Sequence, residues 1–172
     1  MKGRFACAAA VICLACSRSG TEPRSKLQAT APLAASTAAP SPSETLNELD
    51  PRRALPLLPM MALHQKESMR QHLEAVEQVV AAASESDFDN VALAAKRMGY
   101  SESMARMCEH MGASAPGFVE QALTFHHTAD EIVAAAMKRD RGEVLAALSK
   151  TLKTCTRCHA SYRQQLVASM PE

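Results

Sequence analysis

The chain has 172 residues, with 19 Lys and Arg against 18 Asp and Glu, and a formal net charge of +1. This balance, with no basic block along the chain, excludes nucleic acid as an expected partner. The length suits one domain with extensions. Aromatic residues make up only 3% of the chain and Trp is absent.

Residues 1–15 have the pattern of a secretory signal peptide. A charged start precedes an apolar run, residues 5–15, that is too short to span a bilayer as an ordinary helix. The run ends in Leu14-Ala15-Cys16, which resembles the cleavage box of bacterial lipoproteins, although Cys13 stands where an aliphatic residue is usual. We therefore expect export to the periplasmic side of a bacterial membrane, with Cys16 as the candidate lipidation site. Export with plain cleavage nearby is the alternative.

Residues 16–52 are rich in Ala, Ser, Thr and Pro and poor in large apolar residues. Such a segment cannot bury enough surface to fold, so the composition predicts a disordered linker. The folded domain is then expected to occupy residues 53–172.

The domain shows helical periodicity in four segments and no strand-like alternation. The first segment places Ala62, Met69, Leu73, Val76, Val80 and Ala83 on one face, and the second runs from Phe88 past Gly99 to Met111. The third runs from Phe118 to Ala136. The fourth carries Leu145, Leu148, Leu152, Cys155, His159, Tyr162 and Leu166 at steps of three and four. Four amphipathic segments with short connections predict an all-α, antiparallel up-down-up-down four-helix bundle.

The fourth segment contains Cys155-Thr156-Arg157-Cys158-His159, a C-x-x-C-H motif typical of c-type haem attachment. Cys155 and Cys158 are three residues apart, so both thiols project from nearly one helix face. His159 lies one turn after Cys155, where a ring nitrogen can ligate iron. The motif predicts one covalent haem c on the fourth helix. A zinc site, which would need four ligands, and a structural or redox cysteine pair are the alternatives.

Residues 155–163 resemble the C-x-x-C-H-x-x-[FY]-R signature of the class II cytochromes c, the cytochrome c prime family. The resemblance covers about residues 55–170 and is strongest in the fourth helix. It implies thioether bonds at Cys155 and Cys158, His159 as the proximal iron ligand, and Arg163 near a haem propionate. It also implies redox partner proteins and a homodimer formed through the first two helices.

The sixth iron ligand divides this family, and geometry within the bundle suggests where to look for it. The first helix runs antiparallel to the fourth, so the level of His159 matches about residues 64–73. Met69 lies at the centre of the predicted core stripe, whereas His72 and His64 are about 60° and 140° away from it. We expect Met69 as the distal ligand of a low-spin haem. An open site, a histidine ligand, and core packing by Met69 are the alternatives.

Two further groups of residues are candidate sites. Met104, Met107, Cys108 and Met111 share one helix face, which predicts core packing, with Cu(I) binding as the alternative. His126 and His127 cannot both face the core. We expect them at the surface, with one of them lining the haem pocket as the alternative. With no catalytic constellation in the sequence, the chain is expected to be an electron-carrying cytochrome rather than an enzyme. The alternatives are a five-coordinate haem protein that binds NO or CO, and a haem-free metal-binding bundle.

Overall fold

The computed structural model of the chain describes residues 39–170. The expected signal peptide, Cys16 and the linker as far as residue 38 lie outside the described residues. In chain order the elements are α1 (Pro42–Leu49), β1 (Arg53–Leu57), α2 (Pro59–Ser84), α3 (Phe88–Lys96), α4 (Glu102–Gly112), α5 (Phe118–Met137), α6 (Arg141–Ser161) and β2 (Tyr162–Leu166). The protein is therefore mostly helical, as predicted, with one small sheet.

Short polar side chains cap the N-termini of four of these helices, α1, α3, α4 and α6. The carboxylates of Asp87 and Asp140 and the hydroxyl of Ser101 each accept a hydrogen bond from the backbone N–H three residues later, at the starts of α3, α6 and α4. Three-residue connections join α2 to α3 and α5 to α6, so each pair packs after a reversal of the chain. Packing also joins α3 to α5, whereas α2 and α6 contact each other only sparsely.

The predicted second helix is two helices. The break falls at Gly99, where the chain passes close to α5. The Tyr100 N–H donates to the Asp130 carboxylate at 3.2 Å, and a Cβ on Gly99 would collide with the same carboxylate. A side chain at this position would displace the Asp130 carboxylate, so glycine preserves the hydrogen bond to Tyr100. α3 ends at Lys96 and α4 begins at Glu102.

The predicted fourth helix is too long, and the all-α prediction is wrong at this point. α6 ends at Ser161, and the next five residues form β2, which pairs in parallel with β1. The register pairs Arg53 with Tyr162 and Leu57 with Leu166. Local periodicity extended the helix to Leu166 because the strand that pairs with this segment lies far away in the sequence.

The helices and the sheet enclose two apolar clusters. The first lies between α2, α3, α5 and α6 and includes Ala75, Val79, Ala83, Val91, Met98, Phe125, Ile132, Val144 and Leu148. The second lies beside the sheet and consists of Leu55, Leu57, Ala62, Met111, Ala115, Phe118 and Tyr162.

The predicted core face of α2 is only partly correct. Ala62 and Ala83 are buried and Val76 packs against the first cluster, but the other three predicted positions are exposed. Met69, Leu73 and Val80 are 42%, 70% and 48% exposed, whereas Val79 is fully buried. At 100° per residue, Val79 lies about 80° from Met69 and about 20° from His72 around the helix. Much of the buried face consists of alanines, whose small side chains contribute little to a hydrophobic pattern. The larger apolar side chains, which are exposed, therefore indicate a different face of the helix.

Part of the segment predicted as disordered linker is helical. In α1, the Ser41 side chain accepts from the Glu44 N–H while the Glu44 carboxylate accepts from the Ser41 N–H, and Pro42 occupies the first turn. This reciprocal cap satisfies backbone groups that would otherwise lack partners at the helix start. No residue of α1 is buried. None of the described helices is both long enough and apolar enough to cross a membrane.

Candidate functional site

The C-x-x-C-H motif occupies the last two turns of α6, and both of its thiols lie on the inner side of that helix. Cys155 is partly buried and packs against the first apolar cluster. Cys158 is partly buried and packs against the second. The two thiols therefore lie where the two clusters meet, and within residues 39–170 neither of them forms a disulfide.

Burial sets the protonation state of both thiols. It raises the pKa of Cys155 and of Cys158 above the usual thiol value, and the neighbouring Cys155 raises that of Cys158 further. Both groups are therefore neutral thiols at neutral pH. Free thiols on one helix face can be joined to a planar group that carries two vinyl substituents.

His159 lies at the surface, and its backbone is fixed by contacts from two directions. The Arg52 guanidinium donates from Nη1 to the His159 carbonyl oxygen at 3.0 Å. Arg52 is itself held by Asp50 through a 2.6 Å Nη2–Oδ2 contact, which lowers the pKa of Asp50 to about 2. The Tyr162 N–H donates to the Cys158 carbonyl and closes the helix. These hydrogen bonds fix the backbone position from which the His159 side chain extends.

Tyr162, the aromatic residue of the family signature, anchors the end of α6. Its ring is buried edge-on against Phe118 at 5.4 Å between centroids, and its hydroxyl donates to the Pro116 carbonyl at 2.7 Å. The Arg53 guanidinium lies over the same ring, 4.9 Å from its centroid. The motif is thereby tied to the connection between α4 and α5.

Arg163, the candidate propionate ligand, contacts α1. Its Nη1 donates to the Asn47 side-chain oxygen at 2.9 Å and its Nη2 to the Asn47 carbonyl at 3.1 Å. Its Nε is buried and has no hydrogen-bond partner among the described residues. A propionate contact by Arg163 stays a prediction, and the contact seen here attaches α1 to the sheet.

The two leading distal-ligand candidates lie on different sides of α2. Met69 is exposed, so the prediction that its side chain lies in the core is wrong. Ligation of iron by Met69 stays a prediction. His72 is turned inward, with its ring 4.8 Å from that of Phe125 and 5.6 Å from that of His126. Burial, together with the nearby His126, lowers the pKa of His72 to about 4. His72 is therefore a neutral imidazole at neutral pH, the form that ligates metals.

Sequence reasoning missed the position of His126. Its side chain is buried at 3% exposure, contrary to the surface expectation, whereas His127 stacks on Tyr100 at the surface with 4.5 Å between ring centroids. His126 Nδ1 lies 2.7 Å from the Met98 carbonyl oxygen and Nε2 lies 3.8 Å from Cys108 Sγ. The helical period of α5 could have found this, because His126 follows Ala122 and precedes Ala129 on the core stripe.

The Met/Cys face of α4 is only partly buried. Cys108 and Met111 are in the interior, as the packing prediction expected, whereas Met107 is exposed. Within residues 39–170, no group of three or more His, Cys, Asp or Glu side chains is placed to hold a metal ion.

Two observations fit a haem attached to α6. Cys155 and Cys158 are free thiols that pack against the two apolar clusters on the inner side of the helix. His159 follows them at the same helix end. Two free thiols at this spacing and an adjacent histidine are what covalent haem attachment requires.

Comparison with known proteins finds no matching family model, no matching curated protein and no matching solved structure. Function is therefore inferred from the motif and from its geometry.

Proposed function

We propose that the protein is an exported monohaem c-type cytochrome that carries electrons between redox partner proteins at the periplasmic side of a membrane, held there through Cys16. The observation that carries this proposal is the pair of inward-facing thiols of Cys155 and Cys158 beside His159. In this proposal the fold is a class II cytochrome c bundle in which α2, α5 and α6 are three helices and α3 with α4 forms the other.

Each motif residue has a role in this proposal. The Cys155 and Cys158 thiols would hold the haem, each through a thioether to one of its vinyl groups, by addition of S–H across the double bond. His159 supplies a nitrogen ligand from a helix end that Arg52 and Tyr162 hold in place. The haem iron supplies one-electron transfer between its ferric and ferrous states.

We propose His72, rather than Met69, as the distal ligand. Its inward orientation, its contact with Phe125 and its neutral state support this assignment. Two histidine ligands favour a low-spin iron, and they lack the methionine sulfur that raises the potential of His/Met haems. An electron carrier of lower potential is the expected result.

A five-coordinate haem that binds NO or CO is the second candidate function. The exposure of Met69 favours it, because the expected methionine is not turned inward. The two functions differ in the spin state of the iron and in its access to exogenous ligands.

Co-expression of the full chain with a haem c maturation system tests attachment. We expect a haem that stays with the polypeptide after denaturation and gives the pyridine haemochrome spectrum of two thioether bonds. Cys155→Ser with Cys158→Ser should abolish this signal, whereas Cys108→Ser, a matched change at a thiol outside the motif, should retain it. Haem that extraction removes from the native chain would overturn the proposal.

Visible and electron paramagnetic resonance spectra of His72→Ala and Met69→Ala test the distal ligand. We expect a low-spin native protein, a high-spin His72→Ala that binds carbon monoxide when reduced, and a Met69→Ala that resembles the native protein. The reverse result would restore Met69. A high-spin native protein would favour the gas-binding function.

A further inference from the structure

Cys108 and His126 form a buried pair that belongs to no part of the proposed haem ligation. Both side chains are 3% exposed, and Cys108 Sγ lies 3.8 Å from His126 Nε2. The two residues come from different helices, α4 and α5, so the contact is a product of the fold rather than of sequence proximity.

The backbone fixes which nitrogen of His126 faces the cysteine. Nδ1 lies 2.7 Å from the Met98 carbonyl oxygen, which can only accept, so Nδ1 carries the proton. The lone pair of the neutral ring is then on Nε2 and is directed at Cys108 Sγ. A backbone carbonyl that orients a histidine in this way is the usual support of a metal-binding imidazole.

We propose that Cys108 and His126 form a two-ligand site for a soft monovalent cation, copper(I). Thiolate sulfur is a soft ligand that selects Cu(I), and imidazole also suits copper. The number of available ligands also favours Cu(I) over zinc. Zinc takes four ligands, and in the span from residue 39 to residue 170 no third His, Cys, Asp or Glu joins the pair. Cu(I) accepts two.

The separation of the two atoms suits a cation between them. Bonds similar to those of zinc, about 2.3 Å to sulfur and about 2.0 Å to nitrogen, would place the two atoms about 4.3 Å apart on opposite sides of the ion. The observed separation is 3.8 Å, so the side chains on α4 and α5 need to move apart by about 0.5 Å to admit the ion.

Charge also balances at this buried position. On binding, the Cys108 thiol releases its proton to solvent, and the thiolate sulfur and the Nε2 lone pair bind Cu(I). The thiolate and the cation cancel, so no net charge is left in the interior, where an unpaired charge is costly.

The site goes beyond the proposed cytochrome function and can be tested without haem. The test uses the full chain with Cys7, Cys13, Cys16, Cys155 and Cys158 replaced by serine, so that Cys108 is its only thiol. This also removes the C-x-x-C pair, which could bind Cu(I) by itself. Cu(I) is titrated anaerobically in competition with a chromophoric copper(I) chelator, and folding of each variant is checked by circular dichroism.

We expect one equivalent of Cu(I) in the single-thiol chain and none after Cys108→Ser. His126→Gln should weaken binding by at least about tenfold, the scale on which metal sites respond to loss of a supporting group. His127→Gln, at the exposed neighbouring residue, should leave the affinity unchanged. Equal affinity in His126→Gln and the single-thiol chain would overturn the proposal and leave Cys108 and His126 as a hydrogen-bonded pair.

A second comparison covers the case in which the single-thiol chain does not fold. The native chain carrying Cys108→Ser is titrated beside the native chain, and we expect it to bind one equivalent less. Equal stoichiometry would count against the site. Because this comparison and the titration are independent of haem attachment, failure of the copper site and failure of the cytochrome proposal give different results.

Discussion

Tyr162 shows how one side chain fixes the end of the motif helix. Its ring belongs to the second apolar cluster, while its hydroxyl crosses to the Pro116 carbonyl in the connection between α4 and α5. A Cβ on Gly117, the next residue, would lie 3.1 Å from the Tyr162 hydroxyl oxygen. Gly117 also has a φ of 79°, so both the close approach and the backbone conformation favour glycine there.

Tyr162→Phe should lower the free energy of unfolding by about 1 kcal/mol, because it removes one hydrogen bond and leaves the ring in place. Chemical denaturation monitored by circular dichroism measures the change. Tyr100→Phe is the matched control, since Tyr100 is exposed and a phenolic oxygen at the surface is solvated. Equal effects of the two substitutions would show that the Pro116 bond adds no stability.

His72 and His126 make stability depend on pH. Burial lowers the pKa of both rings, that of His72 to about 4, whereas in the unfolded chain each titrates near the usual histidine value. The unfolded state therefore binds more protons between these values. The stability that the neutral rings contribute is complete above the unfolded pKa and is lost as the pH falls toward 4.

For His72 the loss between pH 7 and pH 5 should be about 2 kcal/mol. It is measured by urea unfolding of the haem-free Cys155→Ser/Cys158→Ser chain at the two pH values. His72→Phe should reduce this difference, while His127→Phe, at an exposed histidine, should leave it as in the parent. A His72→Phe chain with the parental pH dependence would contradict the assignment.

The small sheet is the element that brings the two ends of the domain together. β1 precedes α2 and β2 follows α6, and Arg163 of β2 extends the contact to α1 through Asn47. The position of α1 therefore depends on a side chain that the family signature associates with the haem.

Arg163→Ala should release α1 from the sheet. We expect faster hydrogen exchange at the backbone amides of Leu46 to Leu49, measured by mass spectrometry, and little change in the haem spectrum or the midpoint potential. Asn47→Ala removes only the hydrogen bond to the Asn47 side chain, because Arg163 Nη2 donates to the Asn47 backbone carbonyl, so this partner variant should have a smaller effect on exchange. A shift in potential with Arg163→Ala but not with Asn47→Ala would instead support the propionate contact that the resemblance implies.

Whether a structural feature can be predicted from the sequence depends on how far apart in the sequence its interacting residues lie. Helix starts at Asp87, Ser101 and Asp140 and the inward side of Cys155 follow from neighbouring residues, and these features are predictable. The β1–β2 pairing depends on residues remote from each other in sequence. The rotation of α2 depends on alanines that give little hydrophobic signal. The errors at Tyr162 and Met69, and the missed pairing of Cys108 with His126, all come from such long-range packing.

The domain as a whole has two apolar clusters and a sparsely packed pair of helices, α2 and α6. A haem attached to α6 would add apolar contacts between them, so the haem-bearing chain should unfold at a higher temperature than the Cys155→Ser/Cys158→Ser chain. Each kcal/mol of stabilisation raises the midpoint by about 2–8 °C for a domain of this size range. Calorimetry measures the shift, with haem-bearing Cys108→Ser as the control. Equal midpoints would show that α2 and α6 do not enclose the group.

The contact between Arg52 and the His159 carbonyl has a consequence for the order of events during biogenesis. It joins residues 107 positions apart, and closing a chain segment of that length costs entropy that local helix formation does not. The strand pair should therefore form late, after α6 has begun to take shape. In the proposed cytochrome, the motif cysteines would therefore stay accessible for haem attachment until the sheet closes and fixes the end of α6.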